Sequence, residues 1–186
     1  MGTRQEITAG LSELLEKRLR HESRRFAREV VFYKPKCRID YVAFKPAPWG
    51  WSEPGGIERG ALTCYEVKSC VADYNSGHGL NFIGDENYLV MPMEVANQLR
   101  GRMRNGIGIY VPVPRWSNVY REMETPTPYT GQVEGWSLYQ VRKADGYYPR
   151  QVPLTVALAA MIYAGVDTEA LFGSAHSNDE KEEDNE

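Results

Sequence analysis

The chain has 186 residues, which is enough for one domain with a hydrophobic core. Hydrophobic residues make up 42% and charged residues 25%, as in ordinary globular proteins, and no apolar run of about 18 residues predicts a membrane span. The segment MGTRQEITAG has no apolar signal-peptide core, so we expect a cytoplasmic protein. The 3 cysteines form no C-x-x-C pair, which favours reduced thiols over disulfides or structural zinc.

The formal net charge of -3 hides an uneven distribution. Residues 179–186, DEKEEDNE, hold six acids and one lysine, so the remainder has 21 basic and 19 acidic residues, a net charge of +2 (21 − 19). Residues 1–36 carry nine Lys or Arg against five Glu, and Arg100, Arg102 and Arg104 form a second basic cluster. Both groups are compatible with a phosphate-backbone partner, and both are equally compatible with solvated helix surfaces.

Hydrophobic periodicity and turn residues predict alternating helices and strands. Ile7, Leu11, Leu14 and Leu15 recur at helical spacing, which predicts a first helix over residues 3–28 with a break near 21–23. Runs rich in β-branched and aromatic residues predict strands over 29–33, 37–44, 61–68, 87–92 and 106–112. Short helices are predicted over 69–74 and 93–103.

The connections and the C-terminal third are less regular. Pro and Gly are frequent over 47–60, which predicts a long hairpin loop, and 113–135 is predicted to be a loop. A strand is predicted over 136–143 and an apolar helix over 153–164. The polar, acidic residues 173–186 predict a disordered tail that is suited to contacting a protein partner.

The predicted order is helix, three strands, helix, strand, helix, strand. This order favours an α/β fold in which a mixed central sheet is flanked by helices and the first three strands form a meander. We expect one domain over residues 1–172, with a core at about 3–112 and an extension over 113–172.

Three charged residues occupy strand positions that usually disfavour charge. Asp40 lies within the apolar run IDYVAF, and Glu66 and Lys68 lie in TCYEVKS. Glu66 and Lys68 are two residues apart, so their side chains leave the same face of the strand. If the two strands are neighbours in a meander, Asp40 stands beside that pair.

Two converging carboxylates repel each other unless a cation or a proton lies between them. Oxygen ligands from Asp40 and Glu66, with the backbone carbonyl of Val67, suit Mg²⁺. A bound metal lowers the pKa of a coordinated water, and the ammonium of Lys68 can orient that water or stabilise charge on a phosphate. The residue types therefore fit phosphodiester hydrolysis. The alternative is a structural Glu–Lys pair on a partly exposed strand.

With Asp40 in RIDY and Glu66-Val67-Lys68 in YEVKS, the chain resembles the PD-(D/E)XK nuclease superfamily. It is most similar to the small MmcB-like DNA-repair branch, in which EVKS is followed by an acidic–aromatic pair, here Asp73-Tyr74, and a strand such as YLVMP. The resemblance covers roughly residues 3–112. It implies a restriction-endonuclease-like core, Mg²⁺ or Mn²⁺ as cofactor, and DNA as substrate. Ile39 in place of Pro and the long gap between Asp40 and Glu66 depart from the family pattern.

The resemblance also implies accessory residues. Many members carry a Glu on the first helix, for which Glu6 and Glu13 are candidates and Glu13 is favoured. Asp73 is placed either to touch the metal through water or to cap a local turn. Lys34 and Lys36 join Arg100, Arg102 and Arg104 as candidate DNA contacts.

Two functions from different classes follow. The first is a Mg²⁺-dependent deoxyribonuclease that acts in DNA repair or on phage or foreign DNA, as a monomer or a homodimer. The second is a non-catalytic module on the same fold that binds nucleic acid or protein. Trp49 and Trp51, in the predicted hairpin loop, are suited either to stacking on unpaired bases or to covering the core.

Overall fold

A computed structural model describes residues 2–48, 54–145 and 149–164. Within these ranges the strands form one mixed sheet of six strands in the order β1-β2-β3-β4-β5-β6. The strands are β1 (Arg25–Tyr33), β2 (Lys36–Lys45), β3 (Ala61–Val67), β4 (Glu86–Val90), β5 (Gly108–Pro114) and β6 (Trp136–Arg142). The helices are α1 (Arg4–His21), α2 (Pro54–Glu58), α3 (Val71–Asn75), α4 (Met93–Gln98), α5 (Val119–Glu124) and α6 (Leu154–Ile162).

The sheet topology confirms the predicted α/β class with a mixed central sheet. Strands β1, β2 and β3 pair antiparallel, as expected for a meander. Strands β3, β4 and β5 are parallel, and β6 returns antiparallel to β5. Helices α3 and α4 make the two crossovers that parallel neighbours require.

Helix α1 is shorter than predicted. Thr3 and Glu6 form a reciprocal capping box at its start. At the other end, Ser23 takes a left-handed backbone conformation with φ 55°, and the chain then enters β1 at Arg25. The prediction of helix as far as residue 28 was therefore wrong, because pairing with β2 overrides the local helical propensity of these residues.

The two faces of the sheet have different partners. One face, called here the α1 face, packs Tyr65 and Val67 against α1 through Leu11, Leu15 and Leu19. The opposite face carries two separate apolar clusters. One is covered by α6, and the other is covered by α3, α4 and α5. Alternation along β3 places Glu66 on the opposite face, since its neighbours Tyr65 and Val67 belong to the α1 face.

The β1–β2 hairpin contains a paired irregularity. Arg28 pairs with Tyr41 on one side of it and Val30 pairs with Ile39 on the other, in the same register of β1 with β2. Glu29 and Asp40 lie opposite each other between these pairs but are not paired themselves. Glu29 has a left-handed φ of 49°, which is unusual for a non-glycine residue. Side chains that lie three residues apart across this point enter the same cluster, namely Ala27 with Val30 and Ile39 with Val42. Odd- and even-numbered residues therefore exchange faces at Glu29 and Asp40, while the same face of the hairpin stays in this cluster.

Three further predictions differ from the structure in detail. The predicted loop over 47–60 contains α2, and its residues 49–53, with Trp49 and Trp51, lie outside the described residues. The predicted loop over 113–135 contains α5, and the predicted helix over 93–103 ends at Gln98. The acidic tail over 173–186 lies beyond the described ranges. None of the described helices is long and apolar enough to cross a membrane.

Candidate active site

Asp40 and Glu66 meet where β2 and β3 separate. Pairing between these strands ends at Tyr41 opposite Tyr65, and one more step of the same register would place Asp40 opposite Glu66. At that point the Asp40 carboxylate accepts the backbone N–H of Val67, with N and Oδ2 2.8 Å apart. The Asp40 side chain thus replaces a backbone carbonyl of β2 as the acceptor at the next position of the β2–β3 ladder. The structure brings the two carboxylates together, as the meander predicted.

Glu66 is a buried carboxyl group at the end of β3. Its side chain is 1% exposed, and neither carboxylate oxygen has a hydrogen-bond donor among the described residues. Burial raises the pKa of Glu66 to about 10, and the nearby charge of Asp40 adds to this effect while Lys68 opposes it. Without a cation, Glu66 therefore keeps its proton at neutral pH and can donate it to Asp40.

Lys68 lies on the same side of the chain as Glu66. It is 5% exposed, and its Nζ donates to the backbone carbonyl of His78 at 2.6 Å. The backbone N–H of Lys68 donates to Val90 in β4, which fixes the chain just beyond the end of β3. The ammonium is therefore held close to the buried carboxylate by a contact that sequence analysis did not anticipate.

Residues 76–84, called here the covering segment, lie over Glu66 and Lys68. Gly79 has a φ of 68°, and a Cβ at this position would lie 2.6 Å from Glu66 Oε2 and 3.2 Å from Lys68 Nζ. The amide of Asn81 also donates to the carbonyl of Arg38 in β2 at 3.4 Å. Gly79, next to His78, lies close to Glu66 and Lys68, and the absence of a Cβ allows this approach.

Asp73 serves the turn that follows Lys68. Its Oδ2 accepts from the backbone N–H of Ser69 at 3.3 Å and from the Ser69 hydroxyl at 3.4 Å. Its Oδ1 forms an ion pair with Arg4 at 2.7 Å. Of the two roles considered from the sequence, these contacts match the capping of a local turn.

The glutamates of α1 do not join the carboxylate pair. Glu13 is 56% exposed and pairs with Lys17 at 2.9 Å, and Glu6 caps its own helix at Thr3. The expectation that Glu13 completes the site was wrong, because α1 packs on the α1 face whereas Glu66 projects from the opposite face.

Glu29 is a nearby acid that sequence analysis overlooked. It lies opposite Asp40 in the β1–β2 register, and its negative charge also raises the pKa of Glu66. Its carboxylate pairs with Arg38 at 3.0 Å. The only sequence signal was an acid within the strand FAREVVFY.

The candidate DNA contacts occupy two separate places. Lys34 and Lys36 are exposed at the end of the β1–β2 hairpin. Arg100, Arg102 and Arg104 are exposed in the turns after α4, where Arg102 donates to the side chain of Asn75 at 3.2 Å.

The residues at the site fit a hard divalent cation. No three His, Cys, Asp or Glu side chains converge within the described ranges, so the protein offers the two carboxylates of Asp40 and Glu66. Mg²⁺ is commonly bound by one or two carboxylates while it keeps several waters. A cation here would compensate the two unpartnered oxygens of Glu66. Val67 donates its backbone N–H to Asp40 and packs its side chain on the α1 face, and the ligand role of its carbonyl stays a prediction.

Comparison with known proteins does not assign the chain to a family. No protein-family model matches the chain, and no curated protein matches it. A solved structure described as the SPO1766 protein of unknown function from Silicibacter pomeroyi is similar, with 16% identity, 82% of each chain covered and a TM-score of 0.49. The function of the site is therefore inferred from its own residues.

Proposed function

We propose that this protein is a metal-dependent nuclease that hydrolyses DNA phosphodiester bonds on a restriction-endonuclease-like core. The observation that carries the proposal is the contact between two carboxyl groups, one of which, on Glu66, is buried without a hydrogen-bond donor among the described residues. A buried, unpaired carboxyl group is costly, and such groups occur where a cation or a reaction uses them. Lys68 adds an ammonium on the same side of the chain.

Each residue has a distinct role in this proposal. Asp40 and Glu66 would hold Mg²⁺ or Mn²⁺, which when bound lowers the pKa of a coordinated water and offsets charge on the scissile phosphate. Asp40 is oriented by the Val67 N–H, so one of its oxygens is already fixed. Lys68 would orient the attacking water or stabilise the charge that develops on the phosphate.

The covering segment has to move before a phosphate can reach these residues. Glu66 is 1% exposed and Lys68 is 5% exposed, so the described conformation is closed to substrate. Displacing residues 76–84 would break the contact between Lys68 and the His78 carbonyl and release the ammonium for the substrate. The described structure therefore corresponds to the resting state of the proposed enzyme.

The resemblance of RIDY and YEVKS to the PD-(D/E)XK nucleases supports DNA as the substrate, in repair or in the processing of phage or foreign DNA. A cytoplasmic location belongs to the same proposal, since such DNA is processed there. Cell fractionation of the tagged protein tests the location independently of the activity.

The experiment that tests the activity combines metal binding and cleavage. Mg²⁺ and Mn²⁺ are titrated by calorimetry into the parent, Asp40→Asn and Glu66→Gln, with Glu13→Gln as a control acid outside the site. The same proteins and Lys68→Ala are then assayed on branched, single-stranded and duplex DNA. We expect binding to be lost in both site variants and cleavage to be lost in all three. Metal-independent cleavage, or full activity of Lys68→Ala, would contradict the proposal.

The second candidate is a non-catalytic module that binds nucleic acid or protein. The closed state of the site favours it, because Glu66 and Lys68 are both buried beneath the covering segment. It predicts salt-dependent DNA binding or protein binding without cleavage under any metal condition.

A further inference from the structure

The outer part of the β1–β2 hairpin exposes one face that no described helix covers. Residues 30–39, called here the distal hairpin, lie beyond the irregularity at Glu29 and Asp40. Val30, Phe32 and Ile39 are buried in the cluster beneath α6. The other face is exposed, with Val31 48% and Tyr33 71% accessible.

The exposed residues of the distal hairpin form a single patch. Val31 pairs across the strands with Arg38, and Tyr33 pairs with Lys36, so aliphatic, aromatic and cationic side chains alternate. The side chain of Arg38 is 67% exposed and also pairs with Glu29. Lys34 lies in the connecting turn and is exposed as well.

The charge of the hairpin is opposite to that of the whole chain. Residues 25–45 contain six Lys or Arg and two acids, a net charge of +4 (6 − 2), whereas the chain carries -3. Cations with an exposed aromatic ring are the combination by which proteins hold single-stranded nucleic acid, because phosphates pair with cations and bases stack on rings. The cluster of Arg100, Arg102 and Arg104 includes no aromatic residue.

We infer that the exposed face of the distal hairpin binds a single strand of nucleic acid. Lys34 and Lys36 contact its phosphates, and Tyr33 stacks on an unpaired base. The inference rests on the proposed function in its choice of ligand and extends it by assigning the surface that holds the strand.

The patch faces the α1 side of the sheet, whereas Glu66 projects from the opposite face, so a strand held on the patch would reach the carboxylate pair around the β1 edge of the sheet. Lys36 and Asp40 are four residues apart on β2, which corresponds to about 13 Å along a strand. One strand of a duplex advances about 3.4 Å per nucleotide, and an unstacked strand advances further. The spacing along β2 alone thus corresponds to about four nucleotides, and the path around the edge of the sheet adds to it.

Binding is measured by fluorescence anisotropy with a labelled oligothymidylate in EDTA, so that cleavage does not contribute. The variants are Tyr33→Ala and the double variant Lys34→Ala/Lys36→Ala. The matched controls are Tyr120→Ala, a residue that is 78% exposed on α5, and Arg115→Ala/Arg121→Ala, which removes the same charge from exposed positions outside both groups of candidate DNA contacts. A duplex of mixed sequence serves as a second probe.

We expect Tyr33→Ala to weaken binding of the single strand by about fivefold or more and to affect the duplex much less, because stacking needs an unpaired base. The double lysine variant should reduce the slope of log K against log salt by about 1.4, from about 0.7 for each phosphate contact on a single strand. The control variants should leave both quantities close to the parent values.

Three results would overturn the inference. They are a parent that does not bind the oligonucleotide, an equal loss in the Arg115→Ala/Arg121→Ala control, and a Tyr33→Ala variant that binds like the parent. The two proposals fail separately. If the parent binds the strand through the hairpin but cuts no DNA, only the nuclease proposal is contradicted. If the parent cuts DNA and all hairpin variants bind like the parent, only the present inference is contradicted.

Discussion

The carboxylate of Asp40 accepts the backbone N–H of Val67, with N and Oδ2 2.8 Å apart, one step beyond the last β2–β3 pair. Val67 is buried, and in this contact its N–H has a side chain in place of a ladder carbonyl as acceptor. Asp40 consequently has a structural role and a proposed metal-binding role, and substitutions can separate the two.

Asp40→Ala removes the acceptor and leaves the buried N–H unsatisfied, which costs about 1–3 kcal/mol of stability. Asp40→Asn keeps an acceptor oxygen for the Val67 N–H, so it should lose less stability than Asp40→Ala. Both variants should lose metal affinity at least about tenfold, since a carboxylate ligand is lost. Urea unfolding and calorimetry measure the two effects. Equal stability of the two variants would refute the structural role.

The raised pKa of Glu66 predicts a stability that depends on pH. Its folded pKa of about 10 lies above its ordinary value of 4.5, so the stability from the buried neutral form is full below pH 4.5 and is lost as pH rises towards 10. The glutamine of Glu66→Gln does not titrate, so the stability of this variant relative to the parent should increase as pH rises. At pH 8 in EDTA we expect it to be more stable by roughly 1–4 kcal/mol. Thermal unfolding at pH 5 and pH 8 tests this, and an unchanged difference between the two proteins would contradict it.

Gly79 and Gly77 form a matched pair for testing the covering segment. Both have left-handed φ values, 68° and 73°, so alanine at either position carries a backbone cost of about 1–2 kcal/mol. A Cβ at Gly77 meets nothing within 4 Å, whereas a Cβ at Gly79 lies 2.6 Å from Glu66 Oε2. Gly79→Ala should therefore lose clearly more stability than Gly77→Ala in urea unfolding. Similar losses would mean that the segment does not press on the site.

Substitution of Glu13 tests whether α1 contributes to the site. Glu13 pairs with Lys17 on the solvent side of α1, and an exposed pair of this kind contributes about 0.3–0.5 kcal/mol. Glu13→Gln should leave metal affinity and DNA cleavage unchanged and alter stability by no more than that amount. A tenfold or larger loss of cleavage would show that α1 reaches the reacting groups in another conformation.

The class of the fold and the meeting of the carboxylates could be predicted from local patterns. Charged residues inside apolar strands stood out at Asp40 and Glu66, and a meander placed them side by side. The start of β1 could not be predicted in this way, since the residues after Ser23 favour helix as much as strand. Their pairing with β2 decides the outcome, and that pairing involves residues distant in the sequence.

The surroundings of the site were also beyond local prediction. The approach of His78 and Gly79 to Lys68 depends on where the covering segment packs, and a loop without periodicity carries no signal for this. The choice between Glu6 and Glu13 assumed that α1 lies on the same face as Glu66. Periodicity identifies which stripe of a helix is apolar, but it does not say which face of a sheet that stripe will cover.

The irregularity at Glu29 and Asp40 also limits how this hairpin can change in evolution. Because each strand carries one extra residue at opposing positions, the pairing register is kept and the same face of the hairpin stays buried on both sides of it. Loss of one of the two residues alone would leave the other without a counterpart, as a single β-bulge or as a register shift of one residue. An insertion or deletion at one position therefore keeps the present pairing only if the other position changes with it.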